Sequence, residues 1–384
     1  MLISKIILKN WRNFKKVEVD LHDRSFIVGP NASGKSNLLD AIRFLRDIAK
    51  SGGGLQEAIR TRGGVSKLRC LAARSQAEIE VEAHIAENGI VLWKYAIGFS
   101  QTPGGISEPK AKLKYEKVWN HNDDLIINRP DSEDEKDERL LEYTLLEQPT
   151  GNRKFRDVGD FFSSIQYLHI VPQLLKDPKS YIHSTQEDYF GRDFMDRINK
   201  TNKNTRVSFL NKIEKALQIA LPQFNKLELI KDHEGIPHLQ ARYKHWRARD
   251  AKQWEDQFSD GTLRLIGFLW SLLEGTKPIL LEEPELSLHS GIVSKLAEVI
   301  HKLQQKKKGK RQVILTTHSY DLLSNPGISA EETILLEPSD EGTSAKNAAS
   351  NVEIKTLLTE GLSIAEIVIP KTSPKNINQI VLEF

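Results

Sequence analysis

The sequence has little cysteine, no long apolar run and no strong charge of either sign. Its 384 residues include one cysteine, Cys70, which excludes an internal disulfide framework and is typical of a reducing compartment. No apolar run reaches about 18 residues, so no membrane span is expected. The formal net charge is only +3, which permits nucleic-acid binding without arguing for it.

The first residues do not have the pattern of a signal peptide. Residues 1–16 read MLISKIILKNWRNFKK, which alternates like a strand and lacks a cleavage site made of small residues. Together with the single cysteine and the short apolar runs, this pattern predicts a cytoplasmic protein without contact to a membrane.

The stretch Gly29–Ser36 reads G-P-N-A-S-G-K-S, which matches the P-loop pattern. Residues 25–28 before it are apolar, as in a buried strand, and residues 37–48 after it have helical spacing. In this context the backbone N–H groups and the helix N-terminus bind phosphate, Lys35 reaches the β- and γ-phosphates, and Ser36 binds Mg²⁺. The alternative is a glycine-rich turn that only caps a core helix. The predicted nucleotide contacts are Gly29, Pro30, Asn31, Ala32, Ser33, Gly34, Lys35, Ser36 and Asn37.

A second apolar strand ends in carboxylates. Residues 279–285 read I-L-L-E-E-P-E. We assign Glu282 to Mg²⁺ and Glu283 to the attacking water, which it would polarise as a base. The usual residue at the first position is Asp, so the longer Glu282 would hold the metal through water or with a shifted backbone. The alternative is that these acids only favour the N-terminus of the next helix.

Two further stretches suggest contacts with phosphate. Residues 259–262 read S-D-G-T at the start of a helix, where Ser259 and Gly261 would form a second anion site. An ordinary serine N-cap is the alternative. Residues 313–319 read V-I-L-T-T-H-S, a buried strand ending in His318, whose imidazole could bond a γ-phosphate oxygen or the attacking water.

The N-terminal part of the chain is predicted to be rich in strands, with the P-loop unit inserted among them. Asn88-Gly89 is typical of a hairpin turn between two alternating segments. The predicted strands of this part are 2–9, 16–21, two within 77–99, 110–119 and 123–128. The charged run 131–139 (DSEDEKDER) is predicted to be a solvated loop or mobile linker.

Residues 155–255 have a mostly helical pattern that is interrupted by prolines. Their later part, 197–252, is basic and lies among aromatic residues, so it could hold phosphate backbones, although solvated helix faces explain it as well. The basic and aromatic residues concerned are Lys200, Lys203, Arg206, Lys212, Lys215, Arg242, Lys244, Arg247, Arg249, Trp246 and Trp254. Beyond 258, an α/β pattern returns with buried strands at 278–281, 312–316 and 333–337. The run 306–311 (KKKGKR) is predicted to be a solvated connection.

Taken in order, the P-loop, S-D-G-T, L-L-E-E-P-E and T-T-H-S resemble the motifs of ABC-type ATPases. The opening I-x-L-K-N-W-R-N-F and the block G-P-N-A-S-G-K-S-N-L-L-D-A-I-R-F-L are similar to the RecF/SMC-like branch, and most closely to stand-alone bacterial ATPases of the AAA_21 type. The variant E-E-P-E also occurs in that group. The resemblance covers residues 1–100 and 255–365. The middle segment is too short for an SMC coiled-coil arm, and no Toprim-like nuclease motif follows His318.

The resemblance implies an α/β fold of the P-loop NTPase class, namely an ABC-type head with a mixed or parallel core sheet, an antiparallel β subdomain and an inserted helical lobe. The implied domains are 1–150, 151–255 and 256–384. In such heads the signature serine, here Ser259, binds the γ-phosphate held by a second subunit, so that two ATP molecules lie between two chains. Ser287 and Leu288 would lie at that interface.

The same resemblance suggests further roles around the nucleotide. A glutamine near the middle lobe would line the Mg²⁺ site; Gln173 is the candidate and Gln166 competes with it. Arg12 could touch the nucleotide, with an exposed turn as the equal alternative. Lys35, Glu283 and His318 would be the catalytic residues, and the implied cofactors are ATP and Mg²⁺.

The leading functional hypothesis is an ATPase whose ATP-dependent homodimer, or higher homo-oligomer, regulates double-stranded DNA binding or a partner effector. DNA repair and anti-phage defence, with a separately encoded nuclease or toxin, are its expected settings. The alternative is a slow, ATP-switched DNA clamp or scaffold with incidental hydrolysis. A transporter's nucleotide-binding subunit is disfavoured because S-D-G-T replaces S-G-G-Q, and a P-loop kinase because the signature and His motifs would then have no role.

Overall fold

The fold is known from a computed structural model that describes residues 1–74, 77–102, 110–176, 190–244, 251–306 and 311–372. The strands are β1 (Leu2–Trp11), β2 (Phe14–Asp20), β3 (Arg24–Val28), β4 (Ile79–Glu87), β5 (Ile90–Gln101), β6 (Ala111–Trp119), β7 (Leu125–Arg129), β8 (Gln166–Leu168), β9 (Phe224–Lys231), β10 (Pro237–Tyr243), β11 (Ala251–Trp254), β12 (Ile279–Glu282), β13 (Val313–Thr317), β14 (Thr333–Ser339) and β15 (Gly342–Asn347). The α-helices are α1 (Lys35–Ala49), α2 (Leu55–Arg60), α3 (Val65–Leu68), α4 (Ser132–Lys136), α5 (Arg156–Ser163), α6 (Pro172–Leu175), α7 (Phe194–Lys200), α8 (Lys203–Ala220), α9 (Asp260–Leu273), α10 (Ser290–Lys306), α11 (Tyr320–Leu323), α12 (Val352–Thr359) and α13 (Ile364–Thr372).

The chain divides into two compact units. Unit 1 comprises Met1–Gln166, Lys277–Leu280 and Arg311–Phe384, and unit 2 comprises Tyr167–Thr276 and Leu281–Lys310. This division differs from the three segments proposed from the sequence, because α9 and α10 belong to unit 2. Since α9 contacts both α8 and α10, these helices share one core.

An antiparallel sheet forms the first part of unit 1, with strand order β2-β1-β4-β5-β6-β7. Alternate residues of β4 point into the core, where Ile79, Val81, Ala83 and Ile85 are fully buried. The turn to β5 has positive φ at both Asn88 (52°) and Gly89 (82°), as a two-residue hairpin turn of the primed type requires. The predicted antiparallel subdomain is therefore confirmed.

A mixed sheet with strand order β15-β14-β3-β13-β12-β8 holds the P-loop strand at its centre. β3 runs parallel to both β13 and β14, and β14 pairs antiparallel with β15. All five residues of β3 are buried, as expected of a strand covered on both faces. The predicted mixed core sheet is therefore confirmed. The P-loop directly follows its central strand, β3.

Unit 2 contains a small sheet where the sequence pattern predicts helix. β9, β10 and β11 pair antiparallel in the order β11-β10-β9, so the mostly helical prediction for 155–255 is wrong over its last third. The Asp232 carboxylate accepts the N–H groups of Glu234 (2.9 Å) and Ile236 (2.8 Å), and Gly235 has φ 82°. These local hydrogen bonds form a turn that joins β9 and β10 as a hairpin, although the apolar spacing of the two segments suits a helix as well.

The basic residues of 197–252 are spread over both types of element. Lys200, Lys203, Arg206, Lys212 and Lys215 lie on α7 and α8, Arg242 lies on β10, and Lys244 follows it. Trp254 ends β11, with its ring centroid 4.5 Å from that of His238. Trp246, Arg247 and Arg249 lie outside the described residues.

The acidic run 131–139 is exposed at every residue except Asp134, as a solvated segment should be, but it contains the helix α4, so the prediction of a loop or mobile linker is wrong. Asp131 caps α4 with a capping box, and Asp134 is 2% exposed. The buried Arg129 guanidinium donates to Asp134 Oδ1 at 2.5 Å and to Glu116 Oε2 at 3.1 Å. Burial opposes ionisation, but the hydrogen bond from Arg129 keeps the pKa of Asp134 below its usual value. The run thus contains a structural ion pair that its overall polarity conceals.

The end of the basic run 306–311 is also buried. Arg311 is 2% exposed, and its Nε donates to the carbonyl oxygen of Lys277 at 2.6 Å. Its Nη2 donates to the Gln166 amide oxygen. The predicted solvated connection is therefore wrong at Arg311, while residues 307–310 lie outside the described part of the chain.

A search of the described residues for a helix both long enough and apolar enough to cross a bilayer finds none.

The Arg129 cluster predicts a large effect on stability. Arg129→Met keeps much of the side-chain volume but leaves Glu116 and Asp134 buried without their shared counter-charge, so the free energy of unfolding should fall by about 3–5 kcal/mol. Lys136→Met is the matched control, since Lys136 pairs with Glu133 at 2.6 Å in solvent and should change stability little. Urea unfolding followed by circular dichroism measures both. Equal shifts in the two variants would contradict this account.

Candidate nucleotide-binding site

The P-loop leaves β3 at Val28 and enters α1 at Lys35, as the sequence predicts. Gly34 precedes the helix with φ 96°, in the left-handed region, and as a glycine it has no side chain with which to cap the helix start. The first N–H groups of α1 lie at this end, where the helix dipole favours negative charge.

Both glycines of the motif lie where a side chain does not fit. A Cβ on Gly29 would lie 2.5 Å from Ser33 Oγ and 2.9 Å from Leu336 Cβ. A Cβ on Gly34 would lie 2.2 Å from Asn13 Nδ2. The loop is thus packed between β14 and the turn that follows β1, which explains why the motif needs glycine at these two positions.

The Lys35 side chain folds back onto the P-loop. Its ammonium donates to the carbonyl oxygens of Gly29 (3.0 Å) and Pro30 (3.1 Å), and the residue is only 6% exposed. Ser36 follows it in the first turn of α1. A buried cation beside a helix N-terminus is the arrangement that a polyphosphate requires.

Arg12 is held by a carboxylate of α1. Its Nη2 and Nε donate to Asp40 Oδ2 at 2.7 and 3.0 Å. The same carboxylate also pairs with Arg43 and accepts a hydrogen bond from Arg62. Burial raises the pKa of Asp40, but Arg62, Arg43 and Arg12 together bring this pKa below its usual value. Arg12 is therefore a positioned side chain rather than part of a loose exposed turn.

A pocket of about 550 Å³ in unit 1 adjoins the P-loop at Ala32. Its walls are Arg12 and Asn13, the segment 70–74, and the hairpin residues 338–343. A pocket of this size beside a phosphate-binding loop can take the nucleoside end of a nucleotide.

The sheet places His318 beside the start of the P-loop. β13 pairs in parallel with β3, and Thr317 lies opposite Val28 in that ladder. The next residues, His318 and Gly29, therefore leave the sheet side by side at the carboxyl ends of neighbouring strands. His318 is exposed there.

Unit 2 contains Glu282 and Glu283, the carboxylates predicted to act on the metal and the water. Glu282 ends β12 and accepts a hydrogen bond from the hydroxyl of Tyr167, while His169 Nδ1 lies 3.9 Å from its carboxylate. Glu283 has φ 41°, a left-handed conformation that is uncommon for a residue with a side chain. Such strained backbone concentrates at functional sites. Tyr167 was not predicted, because its distance from Glu282 in the sequence leaves no local signal.

The S-D-G-T segment opens α9 as predicted. Ser259 is exposed and caps the helix, since its Oγ accepts the Thr262 N–H at 3.2 Å. Asp260 accepts hydrogen bonds from Gln173 Nε2 (2.9 Å) and Lys176 Nζ (2.8 Å). The Gln173 amide is thus joined to the signature segment, whereas its competitor Gln166 bonds Arg311 in unit 1.

Gly261 contacts the segment after the acidic strand. A Cβ on Gly261 would lie 2.5 Å from the carbonyl oxygen of Ser287, whose own φ is 63°. Burial lowers the pKa of Arg264 in the same helix, while the charges of Asp260 and Glu283 oppose this shift. The signature helix therefore packs against Ser287, and the charge of Glu283 acts on Arg264 of the same helix.

The predicted residues thus fall into two groups. Unit 1 brings together the P-loop, Arg12 and His318, and unit 2 brings together Glu282, Glu283, Gln173 and the Ser259–Gly261 segment. Sequence reasoning missed Asn13, Asp40 and Tyr167, which bond predicted residues. Only Asn13 has a local signal, because it lies in the same W-R-N turn as Arg12.

A parallel strand, P-loop and helix, together with an acidic strand end and a serine-capped signature helix, define the head of an ABC-type P-loop ATPase. Residues 24–324 match the family described as "AAA domain, putative AbiEii toxin, Type IV TA system" (AAA_21), and the chain belongs to this family.

Curated relatives match over a shorter region. The DNA replication and repair protein RecF of Lactobacillus gasseri is 33% identical over 96 residues, which are 24% of this chain and 25% of RecF. RecF of Lactobacillus johnsonii is 37% identical over 97 residues, again 24% and 25% of the two chains. The chain thus spans about a quarter of the length of these relatives.

The fold is also shared with a solved structure, the SmcHead bound to the C-winged helix domain of ScpA. The similarity has a TM-score of 0.53 at 17% identity and covers 90% of this chain and 97% of that one. The RecF/SMC-like, ABC-type fold class inferred from the motifs is therefore confirmed.

The close contact at Gly261 predicts a selective loss of stability. Gly261→Ala would force its Cβ against a backbone carbonyl, which cannot move aside as a side chain can, and should cost about 1–3 kcal/mol. Gly291→Ala is the control, because the nearest atom to its added Cβ, His289 Nδ1, is at 3.4 Å. Thermal unfolding compares the two variants. A Gly261→Ala protein as stable as the control would show that the two segments are not packed as described.

Proposed function

We propose that this chain binds ATP with Mg²⁺ and hydrolyses it to ADP and phosphate. The observation that carries the proposal is the P-loop itself, with the α1 N-terminus that follows it, two glycines without room for a side chain, and the buried ammonium of Lys35. Membership of an ATPase family supports the same activity.

The residue types proposed for the metal site suit a divalent cation. The Ser36 hydroxyl and the Glu282 carboxylate are hard oxygen ligands of the kind Mg²⁺ prefers, with Gln173 as a further amide donor. Tyr167 orients Glu282 by donating to its carboxylate. When bound, the cation would neutralise charge on the β- and γ-phosphates.

Glu283 and His318 would act on the attacking water and the γ-phosphate. Glu283 would accept a proton from the attacking water, and His318 would donate to a γ-phosphate oxygen or orient that water. Lys35 would stabilise the charge that develops on the transferred phosphoryl group. Arg12 would face the nucleotide from the pocket beside Ala32.

ATP is proposed to join two copies of the chain. Ser259 is exposed at the start of α9, so its hydroxyl and the helix N-terminus can meet the γ-phosphate held by another subunit. Ser287 and Leu288 would lie in the same interface, since Ser287 contacts Gly261. A homodimer with two enclosed nucleotides, or a larger homo-oligomer, would be released by hydrolysis.

The dimer is proposed to regulate DNA binding or a partner effector. The RecF relatives are DNA replication and repair proteins, which supports DNA repair as a setting. The family is described as a putative toxin of a toxin–antitoxin system, which supports anti-phage defence. A separately encoded nuclease or toxin would be the effector. The competing role is a DNA clamp or scaffold that ATP switches slowly.

Three variants test the nucleotide roles. Lys35→Ala should abolish measurable ATP binding. Glu283→Gln should bind ATP but lower turnover by about 10²- to 10⁴-fold and accumulate an ATP-bound dimer. Ser259→Arg should bind ATP as a monomer. Calorimetric titration, phosphate release and size-exclusion chromatography with light scattering measure these properties.

The matched control for the base is Glu298→Gln, because Glu298 lies on α10 and pairs with Lys302 at 2.6 Å. Its turnover should equal that of the wild type. If Glu283→Gln also hydrolyses ATP at the wild-type rate, Glu283 is not the base. If the wild-type protein dimerises with ATP without measurable turnover, the scaffold role replaces the enzymatic one.

The DNA proposal depends on α8. Lys203, Lys212 and Lys215 are exposed on this helix, whereas its acid, Glu214, accepts the N–H of Leu227 at 3.0 Å. The exposed charge of the helix is therefore basic and suits a phosphate backbone.

Replacing Lys203, Lys212 and Lys215 together by Gln should weaken binding to a DNA duplex. The slope of log affinity against log salt should fall by up to about 0.9 per lost phosphate contact. The control is Lys295→Gln with Lys302→Gln, because both lysines lie near Glu298 on α10 (3.9 and 2.6 Å). Fluorescence anisotropy over a salt series measures the slope. Absent or salt-independent binding would remove DNA from the proposal.

A further inference from the structure

The turn between β1 and β2 contacts the P-loop and α1 through three successive side chains. Trp11, fully buried, donates from Nε1 to the carbonyl oxygen of Asn37 at 2.9 Å. Arg12 bonds Asp40, and Asn13 bonds the P-loop itself. We call Trp11–Asn13 the P-loop brace.

Asn13 uses its whole side-chain amide in this contact. Nδ2 donates to the carbonyl oxygen of Ser33 at 2.7 Å and to the Thr343 hydroxyl at 2.8 Å, while Oδ1 accepts from Asn37 Nδ2 at 2.8 Å. Both amide hydrogens and the amide oxygen are thus engaged. This saturation leaves Asn13 one orientation, with its amide nitrogen facing the P-loop.

The bond to Ser33 determines the direction of a backbone donor. The Ser33 carbonyl and the Gly34 N–H belong to one planar trans peptide, so they point in opposite directions. Holding the carbonyl oxygen toward Asn13 therefore turns the Gly34 N–H away from the brace.

Gly34 makes this peptide unusually free to turn. Without a Cβ, glycine adopts positive and negative φ with similar ease, and Gly34 has φ 96°. A Cβ at this position would restrict the peptide, but it does not fit, because it would lie 2.2 Å from Asn13 Nδ2. The hydrogen bond from Asn13 to the Ser33 carbonyl oxygen is a restraint on the peptide instead.

We propose that Asn13 is a positioning residue of the nucleotide site, which holds the Ser33–Gly34 peptide with its N–H directed at the phosphates. The inference rests on the proposed binding of ATP and identifies the Asn13 amide as the group that orients the P-loop. Thr343 of the pocket hairpin contacts Asn13 in two ways. Its hydroxyl accepts from the Asn13 amide, and its backbone N–H donates to the Asn13 carbonyl oxygen at 2.8 Å.

The test is the affinity of the full chain for MgADP, which reports the P-loop without the need for dimer formation. Asn13→Ala should weaken binding about tenfold, because the peptide then loses its preferred orientation and the donor is partly misdirected. Asn13→Asp should weaken it further. The new carboxylate cannot donate to Ser33 but can accept the Gly34 N–H, which stabilises the turned peptide. Isothermal titration calorimetry gives the dissociation constants, and thermal unfolding gives the stability.

Asn152→Ala is the matched control. Asn152 is a half-buried asparagine outside the pocket lining, and its Nδ2 donates to the carbonyl oxygen of Leu146 at 3.1 Å. Its loss should lower the melting temperature but leave the MgADP dissociation constant within about twofold of the wild type, because the bond removed holds the segment before α5.

The outcomes separate the two proposals. Wild-type protein that does not bind MgADP would overturn the proposed function. If the wild type binds and Lys35→Ala does not, an Asn13→Ala affinity within about twofold of the wild type overturns the role of Asn13 alone. Equal losses for Asn13→Ala and Asn152→Ala overturn it as well. Should Asn13→Ala fail to fold, the isosteric Asn13→Asp decides by the same criterion.

Discussion

The parallel pairing of β3 with β13 is the constraint on which the chemistry of unit 1 depends. Val28 lies opposite Thr317 in this ladder, so the P-loop and His318 leave the sheet at one edge. Parallel strands share their direction, and ligand-binding groups therefore collect beyond their carboxyl ends. Because β3 is buried along its whole length, the ladder cannot slip by one residue without moving buried side chains to the opposite face.

The two units supply charges of opposite sign. Unit 1 provides N–H groups at the start of α1 and the buried ammonium of Lys35, both of which favour phosphate. Unit 2 provides Glu282 and Glu283, which suit a cation and a water molecule. The left-handed backbone of Glu283 costs about 1–3 kcal/mol, a strain that persists only where neighbouring packing imposes it. The proposed reaction draws on both sets of groups.

Where the sequence reading was wrong, specific side-chain contacts outweighed the average pattern of the segment. The run 131–139 is polar throughout, yet Arg129 pairs with Asp134 and buries it. The last part of 155–255 has apolar spacing compatible with a helix, but a hairpin turn at Asp232–Gly235 pairs β9 with β10 in a sheet. Average polarity and apolar spacing reveal neither outcome.

The phosphate-binding loop and its strand and helix could be predicted because all their determinants are consecutive in the chain: glycine for tight turns, an apolar run before and helical spacing after. The strands of the antiparallel sheet were predictable for the same reason, since a period of two is local. The partners of those residues were not. Asn13 meets Ser33 across 20 residues and Tyr167 meets Glu282 across 115, and such contacts exist only once the chain has folded. Residue types alone therefore identified the chemical groups, whereas the tertiary structure decided how each is oriented, because orientation depends on neighbours that the order of residues does not reveal.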